Sequence, residues 1–484
     1  MNGLYKRVSG TFLIKVLGLG IAFIFQIVLS RVLGVEEYGQ YTIFITYINV
    51  LLIIAVLGMD RNLIKEIAKV SNDKIKSRNL LSFSIKVSVA LFFFISIFVY
   101  LFKKGLDIPS NMVHLFLFML LIKVLIAIFD GFLQGVGLVV KVTFLNDLLN
   151  NFLKVLFFII LISLNMKGLH VALYSFIGSE IITLLLRMKI VSKLIGRPLN
   201  LKDDFSLSEK SKFMKYSITV ALIAGIGLLL QNVDKIMIAR LLDLSNVGIY
   251  KVTQNYVSLI SVFVAPFVAF WPIISKLYNE NKISEIENEM KKIVKIVIYL
   301  VIPMFFIFLF LGENLLLIFG EVYTTKQAQK VLIILAFAFL VDAISGPIGS
   351  ILTMTNYARY ILINNIICLF LNIIFNFIFI KIFGIVGVAI ATAISIISNN
   401  LISIIEVKLL LGIFSYDYKN LIQIISFSLI NYVSSIWLIK IINLNNNYLN
   451  IIVFSISLYL INLCIVIFIN RKVIIEKFSR KKVI

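Results

Sequence analysis

The chain has 484 residues, 61% of them hydrophobic and 14% charged, with a mean hydropathy of +1.04, whereas a soluble domain is about half apolar and about a quarter charged. Its formal net charge is +22. That charge sits in short connections, with no soluble stretch interleaving aromatics with Lys and Arg, so it reads as membrane topology and excludes a nucleic-acid partner.

Apolar stretches of about 20 residues, enough to cross about 30 Å of hydrocarbon, recur along the whole chain. They predict an all-α membrane protein of about 14 transmembrane helices. The spans fall at 10–30, 41–58, 81–102, 113–135, 143–164, 168–188, 215–239, 247–270, 293–312, 329–352, 359–380, 384–407, 419–440 and 450–470. Lys6 and Arg7 precede a first run that is too long for a signal-peptide core and lacks a small-x-small cleavage site, so it reads as a retained span.

Alternate connections differ sharply in charge. One set carries Lys6 and Arg7, then Arg61, Lys65, Lys69, Lys74, Lys76 and Arg78, then Lys189, Lys193, Arg197, Lys202, Lys210 and Lys212. It continues with Lys276, Lys282, Lys291, Lys292 and Arg359 and ends in a basic tail from Arg471 to Lys482. The other set holds Glu36 and Glu37, Lys103, Lys104 and Asp107, Lys167, Glu313 and Glu321, and the polar run Asn443 to Asn447. The positive-inside rule then places both termini in the cytoplasm. Ser284-x-x-Glu287 has the spacing of a capping box ahead of the ninth span.

The first hairpin recurs. Arg31, Leu33, Gly39, Tyr41 and Tyr47 return as Arg240, Leu242, Gly248, Tyr250 and Tyr256, all at an offset of 209 positions. Asp130 and Asp342 correspond at an offset of 212, and Asn146, Phe152, Leu153 and Phe157 match Asn364, Phe370, Leu371 and Phe375 at 218. Six spans separate the copies, which predicts two parallel-repeat six-helix lobes plus two C-terminal helices. The expected boundaries are 1–188 for an N-terminal lobe, 189–214 for a cytoplasmic linker, 215–407 for a C-terminal lobe, and 408–484 for two extra spans and the tail.

A charge at a helix centre costs roughly 2.5–3.5 kcal/mol on insertion scales, so intramembrane charges mark sites. Lys123 and Lys154 fall at the midplane, Glu180 and Asp342 close to it, and Lys15 about 7.5 Å nearer the cytoplasm. Asp130 follows Lys123 by two helical turns. Arg31 and Arg240 hold equivalent outer positions. Internal pairing that merely fixes packing is one reading, with Lys123–Glu180 and Asp234–Arg240 as pairs. Cations outnumber anions, however, and the other reading is a net-positive cavity for an anion, of which phosphate suits Lys and Arg best. Pro266, Pro303 and Pro347 fall inside spans eight, nine and ten, where proline can kink a helix.

The two cysteines, Cys368 and Cys464, lie in apolar runs, and the two histidines, His114 and His170, stand alone, so no disulfide framework, metal site or cofactor is implied. The sequence has no phosphate loop and no large extramembrane segment for catalysis, so it does not read as an enzyme. A glycan polymerase would also need a long outer loop with paired acidic residues.

Three stretches carry a family resemblance: SRVLGVEEYGQYTIFITY at 30–47, NVDKIMIARLLDLSNVGIYKVTQNY at 232–256 and NIIFNFIFIKIFGIVGVAIATAIS at 372–395. They resemble the Wzx-like oligosaccharide flippases of O-antigen and capsular repeat units, polysaccharide biosynthesis proteins of the multidrug/oligosaccharidyl-lipid/polysaccharide (MOP) superfamily. The resemblance implies a V-shaped pair of lobes in a bacterial or archaeal cytoplasmic membrane, alternating between inward and outward openings. The implied partners are a lipid-linked oligosaccharide on undecaprenyl diphosphate and the membrane lipids. Proton or sodium coupling and contact with polysaccharide polymerase machinery stay open. The resemblance carries over only a cationic cavity, and the charge positions fill it: Lys15, Lys123 and Lys154 are expected to hold the diphosphate, Arg31 and Arg240 to line its exit, and Asp130, Glu180 and Asp342 to serve coupling or ion pairing. A cation-coupled drug or metabolite antiporter of the same superfamily is the alternative, disfavoured because span one carries Lys15 rather than a carboxylate.

Overall fold

The structure, a computed structural model, describes residues 2–70, 73–103, 108, 110–196, 207–264, 266–414, 418–442 and 447–469. Lys104, Asp107, Arg197, Lys202, the run 443–446 and the tail from Arg471 lie outside the described residues, as do the side chains of Lys6 and Arg7. Among the described residues every regular element is helical, and twelve helices are long and apolar enough to cross a membrane. The chain divides into two compact units, Met1–Gly248 and Ile249–Ile484.

In the first unit, helix α1 (Asn2–Val56) covers both of the first two predicted spans, interrupted only at Gly34 (φ 74, ψ 179). The gap between the predicted spans 10–30 and 41–58 is thus helical but for a single residue. Glycine reaches that left-handed φ without a Cβ clash. The helix restarts at once because Glu36 and Glu37 sit in its first turn, where the positive end of the peptide dipoles favours carboxylates. Helix α2 (Met59–Val70) was expected to be a basic loop and is a correction: it is too short and too charged to read as a span, yet it buries Met59, Asn62, Leu63 and Ile67 along one face.

Helix α3 (Lys74–Leu101) starts at Asp73, whose Oδ1 accepts from the Ile75 and Lys76 amides at 3.0 Å each. Then come α4 (Val113–Gly135), α5 (Val139–Thr143), a wide π turn at Phe144–Leu149, α6 (Asn150–Ser163), α7 (Leu169–Ile195) and α8 (Leu207–Leu241). Helix α4 packs on α2, α3 and α7, and α8 packs on α1 and α2. The Asn62 amide donates to the Phe213 carbonyl and to the Ser217 hydroxyl of α8, both at 2.9 Å.

Helix α9 (Leu244–Ser258) starts in the first unit. Gly39 rests against the Leu244 carbonyl, and Gly248 against the Val35 carbonyl. At both glycines the facing backbone is so near that any Cβ would collide with it. Gly39→Leu and Gly248→Leu are each expected to cost about 1–3 kcal/mol through overpacking. The check is a lowered thermal unfolding midpoint in detergent, with Gly20→Leu, which faces open space, leaving it unchanged.

In the second unit the predicted span 247–270 is broken: α9 is followed by α10 (Ile260–Phe263) and α11 (Pro266–Asn279). Helix α12 (Ile283–Phe319) starts from Lys282 with no side-chain cap, so the capping box does not form; Glu287 instead pairs with Lys291 at 2.5 Å, one turn on. The predicted span 329–352 is split into α13 (Lys326–Ser345) and α14 (Ile348–Met354) at Gly346 and Pro347. Of the three prolines expected inside spans only Pro303 is interior; Pro266 opens α11 and Pro347 precedes α14, positions where the missing N–H costs little.

Helices α15 (Ala358–Phe383), α16 (Ile385–Leu411), α17 (Tyr418–Ile441) and α18 (Asn447–Ile469) complete the unit. A reciprocal amide pair, Asn431 with Asn462 at 2.8 and 2.9 Å, joins α17 to α18. Helices α7 and α16 are both 27 residues long and are bounded by glycines of positive φ, Gly168 and Gly196 in one, Gly384 and Gly412 in the other.

Candidate functional site

Helices α4, α6 and α7 bring two charged clusters together in the first unit. In one, Lys123 Nζ lies 2.6 Å from Glu180 Oε1, and Asn150 Nδ2 donates to the same oxygen at 2.9 Å. Lys123 and Lys154 stand over the Phe176 ring, 5.0 and 4.6 Å from its centre, where the ring face attracts a cation. The Tyr41 side chain is buried within electrostatic reach of Glu180. Glu180 thus pairs with Lys123 and lies within electrostatic reach of Lys154. Among the described residues no carboxylate comes within ion-pair distance of Lys154.

In the other cluster, Arg187 Nε donates to Asp130 Oδ1 at 2.6 Å and its NH2 to Oδ2 at 3.4 Å. That NH2 also donates to Asn146 Oδ1 at 2.6 Å, Asn146 Nδ2 donates to Asp130 Oδ2 at 2.7 Å, and Arg187 NH1 reaches the Thr183 carbonyl at 2.9 Å. The Arg187 side chain is 1% exposed. Its charge is balanced and its donors are largely satisfied, the condition under which a buried pair persists.

The two clusters are rungs of one ladder. Asp130 follows Lys123 by seven residues on α4, and Arg187 follows Glu180 by seven on α7, so both rungs recur after two turns with the polarity reversed. Asn146 and Asn150, four apart around the π turn, supply the third member of each. The spacing therefore makes two rungs about 10.5 Å apart by helical rise: a neutral one, Asp130–Arg187, called the lower, and one with a surplus cation, Lys123–Glu180 with Lys154, called the upper.

The remaining candidates lie elsewhere. Lys15 is exposed and within electrostatic reach of Asp147 in the π turn, rather than in ion-pair contact with the lysine rung. Arg31 and Arg240 are exposed, and Arg240 NH2 lies 3.4 Å from the Tyr47 hydroxyl. Asp234 is buried. In the second unit Asp342 accepts from Asn400 at 2.9 Å, and Asn364 donates to Glu406 at 2.6 Å. A cleft of about 320 Å³ lined by Phe93, Ile97, Tyr100 and Leu117 is apolar and holds none of these residues. Sequence reasoning missed Arg187, Asn150 and Phe176. The signal for Arg187 was available: Glu180-x6-Arg187 mirrors Lys123-x6-Asp130.

Twelve helices long and apolar enough to cross a membrane, with every regular element among the described residues helical, mark a multi-pass membrane protein, and the family matches place it in the MOP superfamily. The family model described as polysaccharide biosynthesis protein matches residues 4–278, more than half of the chain, and the chain belongs to that family. A second model, MatE, matches residues 218–378.

The chain is 26% identical over 400 residues to the capsular polysaccharide biosynthesis protein CapF of Staphylococcus aureus, covering 81% of this chain and 96% of CapF. It is 29% identical over 233 residues to the probable low-salt glycan biosynthesis flippase Agl15 of Haloferax volcanii. That match spans 48% of this chain and only 47% of Agl15. Among solved structures, the lipid II flippase MurJ in an inward closed conformation superposes with a TM-score of 0.74 at 18% identity, covering 97% of this chain and all of MurJ. That likeness is one of fold.

Proposed function

We propose that the chain is a flippase that moves undecaprenyl-diphosphate-linked oligosaccharide repeat units across the cytoplasmic membrane by alternating access, for O-antigen-like or capsular polysaccharide synthesis. The observation that carries this is the surplus cation of the upper rung: Lys154, over Phe176 and beside Lys123 and Glu180, has no carboxylate of its own among the described residues. A half-buried cation with no ion-pair partner is a seat for an anion that comes and goes, and a diphosphate supplies both the charge and several acceptor oxygens. The relatives named for glycan and capsule synthesis support the same cargo.

Lys123 and Lys154 form the diphosphate seat in this proposal. Lys15, with Asp147, lies on the route into it, and Arg31 and Arg240 lie on the route out. Asp130 is an ion-pair partner, and Asp342 is kept as a coupling candidate for protons or sodium. Counting the two arms of α1 as separate passes, and α9 to α11 as one broken pass, gives fourteen spans. With the basic connections inside, both termini are cytoplasmic. The lobes proposed are 1–188 and 215–407, joined by 189–214, with 408–484 appended.

Reconstituted protein is expected to move a radiolabelled lipid-diphosphate sugar to the opposite leaflet, with no transport of cationic drugs. Drug efflux without lipid movement would instead favour the antiporter reading, to which the MatE match over 218–378 lends weight. An elongated glycan product would identify a polymerase.

A further inference from the structure

We infer that Glu180 is a built-in rival of the cargo's diphosphate: it holds Lys123 between transport cycles and gives up that ammonium to a phosphate oxygen when cargo arrives. The inference rests on the flippase reading and assigns a role within that site, setting how tightly the anion is held.

The geometry around Glu180 Oε1 is that of an anion oxygen in a receptor. An ammonium stands 2.6 Å from it and an amide 2.9 Å, both converging on the one atom. A phosphate oxygen is satisfied by the same two donors at the same distances. The contact is also built to exchange. Lys123 keeps 22% of its side chain exposed while Glu180 keeps 3%, so the cation faces the accessible side and the carboxylate lies behind it.

The lower rung shows what a permanent pair looks like on the same two helices. Arg187 grips both oxygens of Asp130, is tied again to Asn146 and the Thr183 carbonyl, and is 1% exposed. In the upper rung a single-point lysine contact replaces that fork, and Asn150 is held through its Nδ2 alone, its Oδ1 being buried without a hydrogen-bond partner. Lys154 adds the attraction that lets an incoming dianion compete with a fixed monoanion.

The test is equilibrium binding of radiolabelled farnesyl diphosphate to the full chain in nanodiscs, with inorganic pyrophosphate and farnesol as parallel probes. Glu180→Gln keeps the size and the Asn150 contact but removes the competing charge. It is expected to bind the prenyl diphosphate about tenfold more tightly, a difference of about 1.4 kcal/mol. Glu180→Asp, which shortens the reach while keeping the charge, should fall between wild type and Gln, and it serves if the Gln variant does not fold.

Lys123→Ala combined with Glu180→Gln should lose the gain, and Asp130→Asn should show none. Pyrophosphate bound as well as farnesyl diphosphate assigns recognition to the phosphates alone, and preference for the prenyl form adds the lipid. Either supports the exchange provided Glu180→Gln tightens it.

Unchanged or weaker binding in the Glu180 variants, with Lys154→Ala still abolishing wild-type binding, overturns the rivalry and leaves the flippase reading standing. Absence of diphosphate binding in wild type and in Glu180→Gln alike overturns both.

Discussion

Lys154→Ala is expected to lower translocation of a lipid-linked diphosphate sugar by about 10–100-fold, while the protein still inserts and elutes as wild type. Lys154 contributes no ion pair to the fold among the described residues; its contact is with the face of Phe176. Its removal therefore leaves no orphaned carboxylate of its own, and the loss falls on cargo. A charge-assisted hydrogen bond is worth about 1.5–3 kcal/mol, which is the source of that range. Lys154→Arg should retain part of the activity, since guanidinium keeps the charge and stacks on an aromatic face but does not reproduce a compact ammonium.

Lys123→Ala should also abolish transport, for a different reason. It strips Glu180 of its nearest cation and leaves a buried carboxylate facing Lys154 alone. The Lys123→Ala defect should therefore include reduced thermal stability, and adding Glu180→Gln should restore the stability without restoring transport. Wild-type transport in a Lys123→Ala, Lys154→Ala double variant would remove this seat. The two readouts, radiolabelled lipid movement and thermal unfolding in detergent, separate a lost cargo contact from a damaged helix packing.

The largest effect on folding should come from Arg187→Ala, at about 3–5 kcal/mol, because it leaves Asp130 charged and buried without its partner. Arg187 ties α7 to α4 through Asp130 and to the π turn through Asn146, and those are the elements that carry or border Lys123, Asn150 and Glu180. Arg187→Lys should recover only part of this, because one ammonium cannot grip both carboxylate oxygens and the Asn146 amide at once. Replacing both partners by apolar residues, Arg187→Met with Asp130→Leu, should cost far less than either single change, since no charge is then stranded. Thermal unfolding of these variants checks the order; a double variant as unstable as Arg187→Ala would show that the rung contributes more than charge pairing.

Particular residues show where sequence reasoning reaches and where it stops. Hydropathy alone located the spanning segments because a bilayer demands about 20 apolar residues per crossing, a constraint written along the chain. It did not resolve 31–40, where the break narrows to Gly34, or 247–270, which splits at α10 and Pro266. Both depend on one or two backbone angles that leave the hydropathy unchanged. Helix α2 was hidden because its buried face has only three apolar residues, Met59, Leu63 and Ile67, among charges, and only its packing on α4 and α8 makes it legible. The capping box at Ser284 failed because the helix begins at Ile283 with Lys282 in the cap position, and Glu287 was drawn to Lys291.

The sequence by itself determined that this is a many-helix membrane protein, since that follows from composition and from the length of its apolar runs, and it marked the charges that fall inside those runs. Only the tertiary structure decided who stands beside whom. It joined Lys123 to Glu180, gave Asp130 the overlooked Arg187, moved Lys15 toward Asp147, and left Lys154 with a ring instead of a carboxylate. Pairing depends on how α4, α6 and α7 are rotated against one another, and that rotation is set by side-chain packing across residues up to 57 positions apart, beyond the reach of any local spacing.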